Sequence, residues 1–126
     1  QGQIGNNSTT GSNLPIKIGE DNIWTDIATG EESSLAIRNG RLYAWGHNRF
    51  GGLGLPNQSY ITPTLVGVDT DWEKVFSGMY TTFLIKTNGD LYSMGWNVNG
   101  QCGVGTTTVT PAALQRKPWE RCAHSQ

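Results

Sequence analysis

Residues 24–54 of this chain read WTDIATGEESSLAIRNGRLYAWGHNRFGGLG, and residues 72–103 repeat the pattern as WEKVFSGMYTTFLIKTNGDLYSMGWNVNGQCG. The two copies are offset by 48 residues at first, and by 49 after an insertion at Thr87. A repeat of this length is typical of architectures in which each unit buries its apolar surface against a neighbouring unit. The positions that we predict to be structural are Trp24, Gly30, Gly40, Tyr43, Trp45 and Gly46 in the first copy, and Trp72, Gly78, Gly89, Tyr92 and Gly95 in the second.

The repeat extends beyond these two copies on both sides. Residues 2–5 (GQIG) match the last four residues of each copy, and Trp119 begins a further copy. The chain therefore divides into the end of one repeat (1–23), two full repeats (24–71 and 72–118) and the start of another (119–126). The pattern predicts that the whole chain, 1–126, is one segment of a larger repeat protein. The alternative is a short natural protein whose end repeats have eroded.

Composition favours an all-β fold. Seventeen glycines, five tryptophans and a low content of charged residues suit short strands that are separated by tight turns. The formal net charge of −1 offers no electrostatic footprint for nucleic acid. No apolar run approaches the roughly 20 residues that a membrane-spanning helix needs, so neither a nucleic acid nor a membrane is expected as a partner. Nothing in the sequence indicates a cellular compartment.

Each full repeat contains a predicted β-hairpin. In the first repeat, residues 34–38 and 41–45 flank Asn39-Gly40, and in the second the turn is Asn88-Gly89. Asn-Gly between two apolar runs is a strong hairpin signal, because both central residues of a type I′ turn need a positive φ. Side-chain alternation places apolar residues on both faces of the hairpin, which is typical of a sheet stacked between two others. One face carries Leu35, Ile37, Leu42 and Ala44, and the other carries Tyr43 and Trp45.

Two shorter strands are expected to complete each unit. One begins at Trp24 and at Trp72, and the other follows a proline, at residues 16–18 and at Leu65-Val66. We expect the proline at the start of this strand, where its missing N–H is not needed. Four short antiparallel strands in about 48 residues predict the blade of a β-propeller.

These residues resemble a known family. The order Trp-x-x-[Ile/Val]-x-x-Gly, Leu-x-Ile, Asn-Gly-x-Leu-Tyr and Trp-Gly-x-Asn-x-x-Gly-x-Leu-Gly is similar to the repeat of the regulator of chromosome condensation family. The resemblance implies a segment of a larger, seven-bladed β-propeller. The chain departs from the family pattern at Ser33 and Thr81, where histidine is usual, and at Met94, Cys102 and Ser125. These departures weaken the link to the nuclear exchange-factor branch more than they weaken the fold.

The sequence indicates no active site and no cofactor. His47 and His124 are far apart, and no Cys-x-x-Cys or His-x-x-x-His spacing exists for a metal. The acidic pairs Glu31-Glu32 and Asp69/Asp71 lie in predicted loops, where such carboxylates are ordinarily solvated. Cys102 and Cys122 occupy apolar positions of the repeat, and we expect both thiols to be unpaired and sheltered. The chain is therefore predicted not to be an enzyme.

The loops that differ between the repeats are the candidate binding residues. A fixed frame with variable loops is how repeat scaffolds present binding surfaces, whereas Asn48 and Asn97 recur and are expected to hydrogen-bond their own turns. The candidate loop residues are His47, Arg49, Phe50, Met79, Tyr80 and Trp96. The alternative for the aromatic members is packing against an adjacent blade.

From these loops we expect a non-enzymatic scaffold that binds a protein or another macromolecule, with further blades or neighbouring chains as additional partners. Two alternatives stay open. One is a guanine-nucleotide exchange factor for a small GTPase, and the other is a structural part of a viral appendage or a bacterial surface assembly.

Overall fold

A computed structural model describes residues 2–20, 23–48, 53–56, 58–79, 81–95 and 110–115. Its architecture is all-β, with two four-stranded antiparallel sheets in the orders β1-β2-β3-β4 and β5-β6-β7-β8. Among the described residues, no helix has the length and apolar character to cross a membrane. The strands of the first sheet are β1 (Trp24–Thr29), β2 (Ser33–Arg38), β3 (Arg41–His47) and β4 (Ser59–Val66), and those of the second are β5 (Trp72–Ser77), β6 (Thr81–Lys86), β7 (Leu91–Gly95) and β8 (Thr110–Gln115).

The predicted hairpin of the first repeat is confirmed. Arg38 pairs with Arg41 across a two-residue turn, and Asn39 and Gly40 have φ values of 53° and 74°. Only glycine fits the second position, because a Cβ on Gly40 would collide with the backbone carbonyl of Thr70. The Gly40 carbonyl also accepts a hydrogen bond from the Trp72 backbone N–H at 3.0 Å. The turn therefore connects the first sheet to the start of the second.

The hairpin of the second repeat also forms, but with a longer turn. The Lys86 backbone N–H donates to the carbonyl of Asp90, and the Gly89 N–H donates to the carbonyl of Lys86. Gly89 has a φ of 92°, and Asn88 is not among the residues with positive φ. The insertion at Thr87 explains the difference, because a longer hairpin loop needs one left-handed residue where the two-residue turn needs two.

The prediction for the last strand of each unit was partly wrong. Pro63 lies inside β4, which begins at Ser59, rather than at the start of the strand. The strand tolerates the proline because β4 is an edge strand with a register shift: Ala44 pairs with Thr64, whereas Gly46 pairs with Tyr60. Residues 16–18 form no strand. No described strand pairs with them.

The hydrophobic core lies between the two sheets. We call the face of the first sheet that carries Leu35 and Ile37 its front face, and the face that carries Trp24 and Ala36 its back face. The same alternation defines the faces of the second sheet, and its back face packs on the front face of the first. The first strands β1 and β5 lie close together. The core residues are Leu35, Ile37, Leu42, Ala44, Leu53, Val66, Trp72, Val75, Leu84 and Met94.

The prediction that both faces of the first hairpin carry buried apolar groups is confirmed. Leu35 and Ile37 on the front face are 0% exposed, and Trp45 on the back face is 4% exposed. The first sheet therefore has the two apolar faces that a stacked blade requires.

Candidate functional site

The variable connections meet at one end of the two sheets, which we call the loop end. Residues 30–32 join β1 to β2, residues 48–58 join β3 to β4, and residues 78–80 join β5 to β6. The opposite end, which we call the hairpin end, carries the turns at 39–40 and 87–90 and the connection 67–71. His47 and Met79 lie at the loop end. The other candidate residues, Arg49, Phe50, Tyr80 and Trp96, lie outside the described residues, as do Cys102 and Cys122.

Two matching tight turns form the centre of the loop end. The Gly30 N–H donates to the Ser33 carbonyl at 3.0 Å, and the Gly78 N–H donates to the Thr81 carbonyl at 2.8 Å. The turns lie side by side, since a Cβ placed on Gly30 would come within 3.1 Å of the Gly78 carbonyl oxygen. Met79, at the tip of the second turn, is 64% exposed. Backbone hydrogen bonds therefore fix a turn that presents an exposed thioether.

His47 links two connections of the loop end. Its backbone N–H donates to the Glu32 carbonyl at 2.9 Å, and its Nδ1 lies 3.2 Å from the Ser59 hydroxyl. The side chain is half-buried at the end of β3. These contacts hold the start of the 48–58 connection beside the 30–32 turn.

Asn48 organises the described part of the connection between β3 and β4, as its recurrence predicted. It is 0% exposed, and its Oδ1 accepts the backbone N–H of Leu53 at 2.9 Å. Its Nδ2 donates to the carbonyls of Leu55 and of Pro56, the latter at 3.1 Å. One buried side chain thus satisfies backbone groups that would otherwise be unpaired. Its role is structural.

Two of the segments that end a repeat, at residues 2–5 and at Leu53-Gly54, pack on the third strand of the following sheet. Trp45 Nε1 donates to the Gln3 carbonyl at 2.7 Å, and a Cβ on Gly5 would come within 2.7 Å of the same indole. In the next unit, a Cβ on Gly54 would come within 2.8 Å of the Met94 sulfur. The glycine therefore permits a close approach to a tryptophan in one sheet and to a methionine in the other.

A repeated cation–aromatic cluster lies at the hairpin end. The Arg38 guanidinium stands 5.1 Å from the Trp24 ring centroid and 4.5 Å from that of Tyr43. In the second sheet, Lys86 Nζ lies 5.1 Å from the ring centroids of both Trp72 and Tyr92. Each Trp–Tyr pair is edge-to-face. Sequence reasoning did not identify this cluster, although a cation precedes the hairpin turn in both repeats.

Lys86 also binds the connection between the two sheets. Its Nζ lies 3.1 Å from a carboxylate oxygen of Asp69 and 3.2 Å from one of Asp71. The hydrogen bond to Asp69 is the main reason why the pKa of Lys86 lies above its ordinary value, with Asp71 adding to the effect. The expectation that these two aspartates are simply solvated was therefore wrong.

A carboxylate joins the two first strands. Asp26 Oδ2 accepts the backbone N–H of Val75 at 2.8 Å, although the two residues are 49 positions apart. The register of β5 shifts between Trp72 and Lys74, just before this amide. The bond is a direct polar link between β1 and β5, and nothing in the local sequence around Asp26 indicated it.

The described residues contain no cluster of three or more side chains suited to a metal ion. His47 contacts a serine hydroxyl and a backbone carbonyl, which position a loop.

A family model described as "Regulator of chromosome condensation (RCC1) repeat" matches residues 39–85 and 88–120, and a second model of the same description matches residues 72–101. The chain is 36% identical over 111 residues to the ultraviolet-B receptor UVR8 of Arabidopsis thaliana. This alignment covers 82% of the chain and 25% of that protein. The chain is 41% identical over 83 residues to the X-linked retinitis pigmentosa GTPase regulator homolog of Caenorhabditis elegans, covering 63% of this chain and 6% of that protein.

Solved structures show the same fold. A crystal structure of Prp20p from Saccharomyces cerevisiae has a TM-score of 0.70 at 22% identity, with 79% of this chain and 27% of that chain covered. A structure of yeast RCC1 (Prp20) with Kap60 bound has a TM-score of 0.69 at 24% identity, with 78% and 26% covered. The chain thus spans about a quarter or less of the length of these relatives.

Proposed function

This chain belongs to the RCC1 repeat family, and from that premise we propose that it is a non-enzymatic β-propeller scaffold that binds a protein partner through its loop end. The observation that carries the proposal is the exposed Met79 turn, which backbone hydrogen bonds hold beside the 30–32 turn of the neighbouring sheet. A rigid frame lowers the entropy that a loop loses on binding. An exposed methionine supplies an adaptable apolar contact.

The solved relatives support protein binding as the class of function. One of these structures holds Kap60 bound to yeast RCC1, and the other is that of Prp20p, which was described together with its binding properties to Gsp1p and histones. These partners are those of the yeast protein. For this chain the partner is a protein that contacts an exposed thioether and the acidic 31–32 turn beside it.

The proposal is tested by changing one exposed apolar side chain at each end of the sheets. Met79→Glu places a charge at the loop end, and Val68→Glu places the same charge at the hairpin end, where Val68 is 87% exposed. Proteins retained by the immobilised full-length protein and by each variant are identified by quantitative mass spectrometry. A retained protein is then purified and titrated against all three by calorimetry.

We expect Met79→Glu to weaken binding by about tenfold or more, which corresponds to about 1.4 kcal/mol, and Val68→Glu to leave the affinity unchanged. Equal affinity for both variants and the wild type would place the binding surface elsewhere and overturn the proposal. Circular dichroism of both variants checks that the fold is intact.

A second candidate is guanine-nucleotide exchange on a small GTPase, because one relative carries the name of a GTPase regulator. Exchange needs contacts and no catalytic cluster, so the same loop end would serve it. Release of a fluorescent nucleotide from a panel of small GTPases separates the two. Acceleration by the wild type that Met79→Glu abolishes assigns exchange, whereas partner binding without acceleration assigns the scaffold.

A further inference from the structure

The two turns of the hairpin end contain the dipeptide Asn-Gly, the pair of residues that is most prone to spontaneous deamidation. In this reaction the backbone nitrogen of the glycine attacks Cγ of the asparagine, and glycine has no side chain to block the attack. The two pairs are Asn39-Gly40 and Asn88-Gly89, and both asparagines are exposed. Their surroundings differ, and the difference decides which pair is able to react.

The second sheet holds the first pair in place. The Gly40 carbonyl accepts the Trp72 N–H at 3.0 Å, and the Thr70 carbonyl lies so close to Gly40 that no Cβ fits. The peptide that joins Asn39 to Gly40 must rotate before its nitrogen reaches Cγ, and this rotation would break both contacts. Among the described residues, no side-chain hydrogen bond polarises the Asn39 carboxamide. The first pair is therefore protected.

The second pair has more freedom at its glycine. A Cβ placed on Gly89 would meet open space, whereas the Thr87 N–H anchors the chain just before Asn88 through the Asp71 carbonyl, at 3.0 Å. The Gly89 N–H donates to the Lys86 carbonyl at 2.9 Å. Because the turn is exposed, water replaces this bond at little cost when the nitrogen attacks.

Asp90 holds the Asn88 carboxamide in a position that favours the reaction. Its backbone N–H donates to Asn88 Oδ1 at 2.9 Å, which folds the side chain back over the Gly89 peptide. The same N–H faces the oxygen on which negative charge develops during attack, as a donor of an oxyanion hole does. The Asp90 carboxylate accepts a hydrogen bond from Nδ2, the nitrogen that leaves, at 3.0 Å.

We propose that Asn88 is a site of spontaneous deamidation that Asp90 assists, and that the same dipeptide at Asn39 is protected by the second sheet. The Gly89 nitrogen forms a bond to Cγ of Asn88, and the electron pair of the carbonyl moves onto Oδ1. The proton of the Gly89 nitrogen passes through water to Nδ2, whose developing positive charge the Asp90 carboxylate stabilises. The bond from Cγ to Nδ2 then breaks and ammonia leaves. Water adds to either carbonyl of the cyclic imide and gives aspartate or isoaspartate at position 88.

The product changes both the charge and the backbone of the hairpin end. A carboxylate at position 88 cannot donate to the Asp90 carboxylate and repels it. Isoaspartate also adds a methylene to the main chain between Lys86 and Asp90, whose backbone hydrogen bond closes the hairpin. Deamidation is therefore expected to loosen the turn that follows Lys86.

The wild-type protein supplies the first test, because it contains both pairs. It is incubated in mildly alkaline buffer with and without urea, and peptide mass spectrometry follows deamidation at both asparagines. Isoaspartate is identified by labelling with an isoaspartate methyltransferase. In the folded protein Asn88 should react about tenfold or more faster than Asn39, whereas in urea the two rates should lie within about threefold. Equal rates in the folded protein, or a ratio that urea does not change, would overturn the proposal.

A pair of variants tests the part played by Asp90. Asp90→Asn keeps the backbone N–H but removes the carboxylate, and the control Glu73→Gln removes an exposed carboxylate elsewhere. Asp90→Asn should slow deamidation at Asn88 by about threefold or more, and Glu73→Gln should leave the rate unchanged. Equal rates in the two variants would show that Asp90 does not assist and would overturn the proposal. Circular dichroism checks that both variants fold, and the comparison within the wild type depends on neither of them.

Discussion

Replacing Asn48 with alanine should be among the most destabilising polar substitutions in the loop end. The alanine leaves the Leu53 N–H without its acceptor, at a residue that is 1% exposed, and an unsatisfied buried donor costs about 1–3 kcal/mol. The carbonyls of Leu55 and Pro56 also lose a donor, but these are more accessible and regain water. We expect a total loss of about 2–4 kcal/mol, a large part of the 5–15 kcal/mol or so that is typical of a domain.

Urea unfolding followed by tryptophan fluorescence measures this loss, with linear extrapolation to water. The matched control is Asn88→Ala. Asn88 also bonds its own turn, through the Asp90 N–H at 2.9 Å and the Asp90 carboxylate at 3.0 Å, but it is exposed. Its loss should stay below about 1 kcal/mol, since water replaces both bonds. If Asn48→Ala destabilises the protein no more than Asn88→Ala, the organising role of Asn48 is wrong.

Three further outcomes follow from single positions. Gly40→Ala should lower the free energy of unfolding by about 3 kcal/mol or more, because the alanine combines a φ of 74° with a collision against the backbone. Gly89→Ala has a φ of 92° but lies in open space, so it should lower the free energy of unfolding by about 1–2 kcal/mol. Equal losses in urea unfolding would contradict the collision at Gly40. Because the pKa of Lys86 is raised in the folded protein, its contribution to stability is complete below the ordinary lysine pKa of about 10.4 and is lost as the pH rises above that value. The difference in melting temperature between the wild type and Lys86→Met should therefore be smaller at about pH 11.5 than at about pH 9. A constant difference would refute the ion pairs. In the native protein, peroxide should oxidise the exposed Met79 much faster than the buried Met94, whereas in urea the two rates should be similar. Peptide mass spectrometry measures the oxidation of both methionines. Rapid oxidation of Met94 in the native protein would show that the sheets separate.

Features that depend on a few neighbouring residues were predictable from the sequence. The Asn39-Gly40 turn follows from the positive φ that both positions require, and the alternation of Leu35 and Ile37 gives the buried front face. The structural role of Asn48 followed from its place at the start of a turn. In each case the physical cause lies within about ten residues of the chain.

Features that depend on how strands or sheets meet were not predictable. The position of Pro63 within β4 accompanies the register shift that this edge strand makes against β3. The bond from Asp26 to Val75 and the ion pairs of Lys86 join residues whose proximity only the packing of the sheets creates. Loop acids look alike in a sequence, whether a cation lies opposite them or not.

The candidate site shows the same division. The sequence located the connections that vary, and the structure brings His47 and Met79 to one end of the sheets. The side-by-side contact of the Gly30 and Gly78 turns is a property of two blades together. The roles of the candidate residues as partner contacts stay predictions.

The packing of Gly5 on Trp45, and of Gly54 on Met94, has a consequence for how such a chain can lengthen. The first full unit carries both a segment that docks on its successor, at Gly54, and a strand that receives the segment of its predecessor, at Trp45. A tandem duplication of about 48 residues therefore supplies both halves of a new contact at once, with no change elsewhere in the chain. The exchange of tryptophan for methionine under the same glycine indicates that the two copies have since been free to diverge, provided that the receiving side chain fills the space below the glycine. The number of units in a chain of this kind can thus change by a single genetic event, while the shape of each junction is conserved.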